Sequence, residues 1–157
     1  MKIRILAVGR LKNQIFYQGI QDYLARLKNY VHVRIEEVRD FPLRKGMSSQ
    51  IVNDQEGEFL KERLKDDSFY VVLDVKGKQK SSEDFSGLIA KWENSAVKEV
   101  TFILGGAFGV SEELTRNARE KISLSKMTFT HEMARLFLTE QIYRAYTILR
   151  GVPYHHG

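Results

Sequence analysis

The chain has 157 residues, the length of one ordinary domain and enough to bury a core. Hydrophobic residues make up 43% and charged residues 29%, which excludes an intrinsically disordered chain, and the absence of cysteine excludes disulfides, thiolate nucleophiles and cysteine-ligated zinc or iron–sulfur centres. The 25 Lys and Arg exceed the 20 Asp and Glu by five, a mild basic excess that suits nucleic acid as a partner and suits ordinary solvated surface equally well.

MKIRILAVGRLKNQ returns to charge after a short apolar run, without the length or cleavage site of a signal peptide, and 2–8 is predicted as a first strand. Apolar residues at Ile15, Phe16, Ile20, Tyr23, Leu24 and Leu27 follow at helical spacing over 13–28. VRIEEV (33–38) alternates like a strand with one wet face, and 42–46 is a polar connection that overlaps a basic loop, 39–45. Ser48 or Ser49 caps a helix carrying Ile51, Val52, Phe59, Leu60 and Leu64. FYVVLDV (69–75) is β-branched and nearly continuous, as a strand buried on both faces should be. A basic turn around Gly77 is predicted over 76–80, then a helix capped by Ser81 or Ser82 with Phe85, Leu88, Ile89 and Trp92 on one side.

EVTFILGG (99–106) reads as a second buried strand, and Ser111 as the cap of a short charged helix reaching about Lys121. ISLSKMTF (122–129) is a last short strand and loop, and Thr130 or His131 opens a long helix to Arg150. The alternation predicts one α/β domain over 1–157, with a mostly parallel sheet and helices on both faces. The least charged stretch, 101–110, is too short and too rich in glycine to cross a bilayer, so a soluble, cytoplasmic protein without a membrane partner is expected.

Two loops stand where ligands of parallel sheets bind, beyond the carboxyl ends of strands. ILGGAFGVSEEL sets Gly105, Gly106 and Gly109 between a strand and a helix, but GGxxG is not the dinucleotide spacing. Glu112 and Glu113 follow in the first turn of that helix, where two carboxylates would repel a pyrophosphate, so a ligand without phosphate or with a positive charge suits the loop better. SLSKMTFTH (123–131) can offer main-chain groups to an adenine edge or serve as a capping segment.

The last helix carries more apolar surface than one stripe requires, which points to burial within its own domain or to a second copy of the chain in a symmetric dimer. Glu140 and Arg144 stand at i,i+4 in the favourable order, so each can satisfy the other, or Arg144 can clamp an anion. The helix stops at Gly151, and Pro153, Tyr154, His155 and His156 follow, either as a fraying tail or as chemistry.

GGAFG together with SLSKMTFTHEMARLFLTEQIYRAYTILRGVPYH closely resembles the SPOUT-superfamily methyltransferases of the ribosomal RNA large subunit methyltransferase H type, and the similarity runs from KIRILAVGRLK to PYH. The resemblance implies an α/β fold with a C-terminal trefoil knot, a homodimer, S-adenosylmethionine as cofactor, and methylation of N3 of a pseudouridine in 23S ribosomal RNA of the assembled ribosome, with no DNA partner. Carried over by position, the cofactor residues are Leu73, Gly105, Leu124, Ser125, Lys126, Met127, Thr128 and Phe129. The tail departs from the family in one place, since a basic residue commonly follows PYH and here His156 does.

On that resemblance Arg144, Tyr154 and His155 are the expected catalytic residues. His155 accepts the N3 proton, Arg144 stabilises the charge spread onto the carbonyl oxygens, and Tyr154 stacks against or orients the base. His155 can instead bind phosphate, Tyr154 can pack over the last helix, and His131 reads as structural. Arg10, Lys12, Lys76, Lys78 and Lys80 are candidate RNA contacts. A ribosome-associated binding protein of the same fold without transfer activity is the alternative function.

Overall fold

The computed structural model describes residues 1–155, and strand alternates with helix throughout. β1 (Lys2–Val8), α1 (Gln14–Leu27), β2 (His32–Val38), α2 (Ser49–Lys61) and β3 (Tyr70–Gln79) are followed by α3 (Ser82–Asn94), β4 (Glu99–Leu104), α4 (Glu112–Asn117), β5 (Glu120–Ser123) and α5 (His131–Leu149). All five strands are parallel, in the order β2-β1-β4-β3-β5. The side-chain alternation of each strand divides the core between the two faces of the sheet. Ile3, Ile5 and Ala7 of β1 pack with α1, α3 and α5, whereas Leu6 and Val8 pack with residues of α2 and α4.

Local chemistry sets the helix starts. The side chains of Asn13, Ser48, Ser81 and Thr130 each accept a hydrogen bond from a backbone N–H in the first turn, satisfying donors that have no partner inside the helix. Ser111 makes no such bond, contrary to its expected role as a cap. It is buried against α2, where a Cβ on Gly57 would lie 2.5 Å from its hydroxyl.

Three boundaries differ from the sequence reading. α4 ends at Asn117 rather than near Lys121, because Glu120–Ser123 pairs with β3 as an edge strand and the ladder prevails over a short charged helix. The predicted turn at 76–80 is instead a continuation of β3 past a bulge: Leu73 and Lys78 both lie opposite Ile122, so 74–77 swings out of register. Gly77 is needed there, since a Cβ would come within 2.6 Å of the Ile122 main chain. The strand before the glycine loop ends at Leu104, leaving Gly105 and Gly106 outside the ladder.

The apolar excess of α5 finds most of its partners within the chain. The helix packs between α1 and α3 and over the sheet, with Leu138, Ile142, Ala145 and Tyr146 in the core, while Phe137 and Leu149 remain exposed. Among the described residues no helix is long and apolar enough to cross a membrane.

Candidate active site

A cleft of about 920 Å³ opens at the carboxyl ends of β3, β4 and β5, walled by the 74–77 bulge, the glycine loop 105–110, the 123–130 loop and the start of α5. Leu73, Gly105, Leu124, Ser125, Met127, Thr128 and Phe129 line it, and Lys126 is exposed outside that lining. Among the described residues, the main chain of 125–129 makes no hydrogen bond to other backbone; side chains take the Ser125 C=O (from Ser123 Oγ, 2.8 Å) and the Met127 N–H, and the main-chain groups of 126, 128 and 129 remain available to a ligand. Ser125 holds the loop locally by accepting from Met127 N at 3.0 Å, and Phe129 packs on Phe137 of α5 with ring centroids 4.9 Å apart. A smaller hollow of about 390 Å³ shares Leu73, Ser123, Leu124 and Phe129 with the cleft and continues past Ser82 to Gln141.

α2 shapes the glycine loop from behind. Asn53 Nδ2 donates to the carbonyls of Phe108 (3.1 Å) and Gly109 (3.0 Å), and one turn on the Glu56 carboxyl rests against Gly106. A Cβ on Gly105 would lie 2.0 Å from Gly109 O, so the loop closes on itself only because that side chain is missing. Glu112 and Glu113 do not guard this loop as expected. Neither lines the cleft; the Glu113 carboxylate turns to Lys61 Nζ at 2.9 Å. The acidic group that does stand behind the glycines is Glu56, 3% exposed, which sequence spacing did not single out.

The opposite rim is the 9–13 loop. Arg135 is fully buried beneath it, donating Nη2 to the carbonyls of Val8 and Gly9 at 2.7 Å each and Nη1 to Glu37 at 2.8 Å. Glu37 and Glu132 accept the N–H groups of Leu11, Lys12 and Asn13. Arg10 and Lys12 are thereby held exposed on the rim. Lys76 and Lys78 are exposed as well, and Lys80 is half-buried.

His131 lines the cleft at the N-terminus of α5. Burial and then the Arg135 charge lower its pKa, against the opposing pull of Glu132, Asp40 and Glu37. The unfolded chain therefore takes up the proton first, so the stability His131 contributes is lost as pH falls from about 6.5 through its lower folded value. Urea titrations at about pH 7.5 and about pH 5.5 should show a smaller loss of stability on acidification for His131→Asn than for the wild type. Equal losses would place the pH dependence elsewhere.

Arg144, Tyr154 and His155 are brought together, but not in the cleft: none of the three lines it. They gather on α5 beside α1 and α3. Arg144 forks onto Glu140 Oε1 (2.6 and 2.9 Å) and faces His155 Nδ1 at 3.1 Å. Its guanidinium carbon stands 4.8 Å above the Tyr154 ring. The Tyr154 hydroxyl donates to Glu140 Oε1 at 3.1 Å and lies 3.2 Å from the Tyr23 hydroxyl; burial first and the Tyr23 hydrogen bond next raise its pKa. Because an arginine only donates, His155 Nδ1 is the acceptor and Nε2–H points to Glu83. The Glu83 carboxyl is held down at about 2, by its own backbone N–H first and by His155 second. Glu83 and Tyr23 are members of this cluster that the sequence reading missed; both lie far from the tail in sequence. Gln141 links the cluster to the smaller hollow, since it donates to Glu140 and accepts from Ser82. His156 lies outside the described residues. Among the described residues no group of His, Asp or Glu is arranged to hold a metal ion.

A family model described as "Predicted SPOUT methyltransferase" matches residues 1–155. The chain is 42% identical over 156 residues to a Christiangramia forsetii protein named "Ribosomal RNA large subunit methyltransferase H", covering 99% of each chain. It is 42% identical over 158 residues to the protein of that name from Halothermothrix orenii, again over 99% of each. Among solved structures, a probable methyltransferase from Bordetella pertussis superposes with a TM-score of 0.55 at 10% identity, over 92% of this chain and 96% of that one. A probable methylase family protein from Haemophilus influenzae superposes with a TM-score of 0.53 at 12% identity, over 99% of this chain and 70% of that one. At such low identity these structures speak for the fold alone. The match along nearly the whole sequence and the relatives alike in length make this chain a member of the SPOUT methyltransferase family.

Proposed function

We propose that the protein uses S-adenosylmethionine to methylate N3 of a pseudouridine in 23S ribosomal RNA of the assembled ribosome, as a cytoplasmic homodimer in which the tail of each subunit completes the cleft of the other. The observation that carries this reading is the cleft itself, which gathers seven of the eight residues assigned to the cofactor by resemblance, with Lys126 outside. The name shared by the relatives supports the substrate class. On this reading the 124–129 loop belongs to the knotted C-terminal part that the resemblance implies.

The donor set fits the cofactor. The main-chain groups of 126, 128 and 129, which make no hydrogen bond among the described residues, suit an adenine edge, the glycine loop admits a close approach, and the buried Glu56 carboxylate behind it favours a cation over a phosphate. When bound, S-adenosylmethionine supplies a methyl group on a sulfonium; the N3–CH₃ bond forms as the S–CH₃ bond breaks, and the sulfur leaves neutral with the electron pair.

The chain's own residues then have to align N3 and take its proton. Positioning alone is worth up to roughly 7–11 kcal/mol. His155 Nδ1 has the lone pair that can accept the proton, but Arg144 occupies it at 3.1 Å. Arg144 must therefore turn from Nδ1 to the carbonyl oxygen of the base, where its charge stabilises the imide anion. The same displacement frees Nδ1, and Glu83 at Nε2 stabilises the imidazolium that results. Tyr154, with its hydroxyl fixed by Glu140 and Tyr23, presents a ring face for the flipped base.

Mixed subunits test the shared site. His155→Ala removes the base, and Thr128→Trp fills the cleft from an exposed position. If tail and cleft belong to different subunits, mixing the two inactive variants restores about a quarter of wild-type activity, since half of the dimers are mixed and each has one intact site. No recovery would assign tail and cleft to the same chain. Titration calorimetry with S-adenosylmethionine should give binding, and its absence would overturn the cofactor.

A further inference from the structure

Glu56, the acidic side chain behind the glycine loop, takes no part in the proton transfer described above. It is 3% exposed, and Oε1 accepts the Phe41 N–H at 3.0 Å while Oε2 has no hydrogen-bond partner. No Lys, Arg or His nitrogen lies within salt-bridge distance of it among the described residues; the Arg39 guanidinium stacks on Phe59, 4.2 Å from the ring centre. A buried carboxylate with one neutral donor is costly to keep. Burial first and the Asp40 charge raise its pKa, while the Phe41 N–H holds it down.

What the carboxylate faces is the back of the cleft wall. A Cβ on Gly106 would lie 2.5 Å from Oε2 and 3.0 Å from Oε1, so the carboxylate packs directly against a glycine that lines the cleft. At low local dielectric, a negative charge there favours a cationic ligand and is indifferent to a neutral one of the same shape.

We propose that Glu56 makes the cleft discriminate by charge between the sulfonium cofactor and its neutral thioether product, S-adenosylhomocysteine, so that loss of the methyl group itself weakens the hold on the cofactor. This rests on the cofactor reading above. The preference comes from a residue that touches neither substrate nor cofactor, and Glu56 is accordingly a positioning and specificity residue.

Titration calorimetry with S-adenosylmethionine and S-adenosylhomocysteine, on wild type and on variants shown by thermal melting to be folded, tests it. Glu56→Gln retains the acceptor for Phe41 N–H and removes the charge. It should weaken the sulfonium ligand about tenfold and the thioether less than about twofold, a change of about 1.0–1.4 kcal/mol in their difference. Glu56→Asp keeps the charge and should keep the preference. Asn53→Ala loosens the same loop without altering charge and should weaken both ligands alike. Equal weakening of both ligands by Glu56→Gln, or no change in either, would overturn the proposal and leave Glu56 a structural clamp. A wild type that binds neither ligand would overturn the cofactor reading, and this inference with it.

Discussion

A chain ending at Val152 should fold, dimerise and bind S-adenosylmethionine, yet transfer no methyl group at a measurable rate. The tail contributes little to the core. Tyr154 and His155 are only partly buried, and their partners Glu140, Arg144 and Tyr23 belong to helices that stand without them. Glu140 and Arg144 still neutralise each other at i,i+4 after truncation. On the proposed mechanism, what disappears is the proton acceptor, the ring for the base and the His155 contact to Arg144. General-base loss costs about 10²–10⁴-fold and loss of an anion-stabilising donor about 10²–10³-fold. His155→Ala and Arg144→Ala should each fall within those ranges in single-turnover assays, with cofactor affinity little changed. A truncated protein that methylates at the wild-type rate would make the tail a packing element and nothing more.

Arg135→Ala should cost about 3–5 kcal/mol of folding stability. Its guanidinium satisfies the Val8 and Gly9 carbonyls and the Glu37 carboxylate at once, with no exposure to water. Burial lowers its pKa, and Glu37 and Glu132 counter that effect, so the charge is held by its partners. Removing it strands an acid and two carbonyls under the rim of the cleft. Arg135→Lys restores the charge but not the fork, and should recover only part of the loss. Urea denaturation of both variants measures this, and a loss below about 1 kcal/mol for Arg135→Ala would show that the network is dispensable. Because the same network holds the 9–13 loop, and Asn13 lines the cleft, folded Arg135→Lys should also bind cofactor more weakly.

The order of the elements was legible because strand and helix periodicities alternate cleanly and because Ser48, Ser81 and Thr130 cap where cap residues should. The bulge at 74–77 was not, since a run of Lys and Gly reads as a turn unless the neighbouring strand is known to resume pairing beyond it. The glycine loop and the 123–131 segment were legible as two candidate loops beyond strand ends, only the resemblance joined them into one site, and the cleft brings them together. The acidic character of that site was expected from the wrong residues. Glu112 and Glu113 adjoin the glycines in sequence, but the turn into α4 sends Glu113 to Lys61, and Glu56 arrives from a helix some 50 residues earlier. Contacts of that kind leave no trace in local spacing. The apolar excess of α5 was real, but α1 and α3 on its two sides absorb most of it, so it says less about a second subunit than the pattern alone suggested.

The proposed reaction is tested most directly by incubating ribosomes from cells lacking this protein with purified protein and S-adenosylmethionine, then mapping the modified nucleotide by mass. One methyl group on a pseudouridine of 23S ribosomal RNA in intact ribosomes, absent with His155→Ala, is the result predicted. Methylation of a plain uridine, methylation of free RNA alone, or no transfer to any ribosome would contradict it.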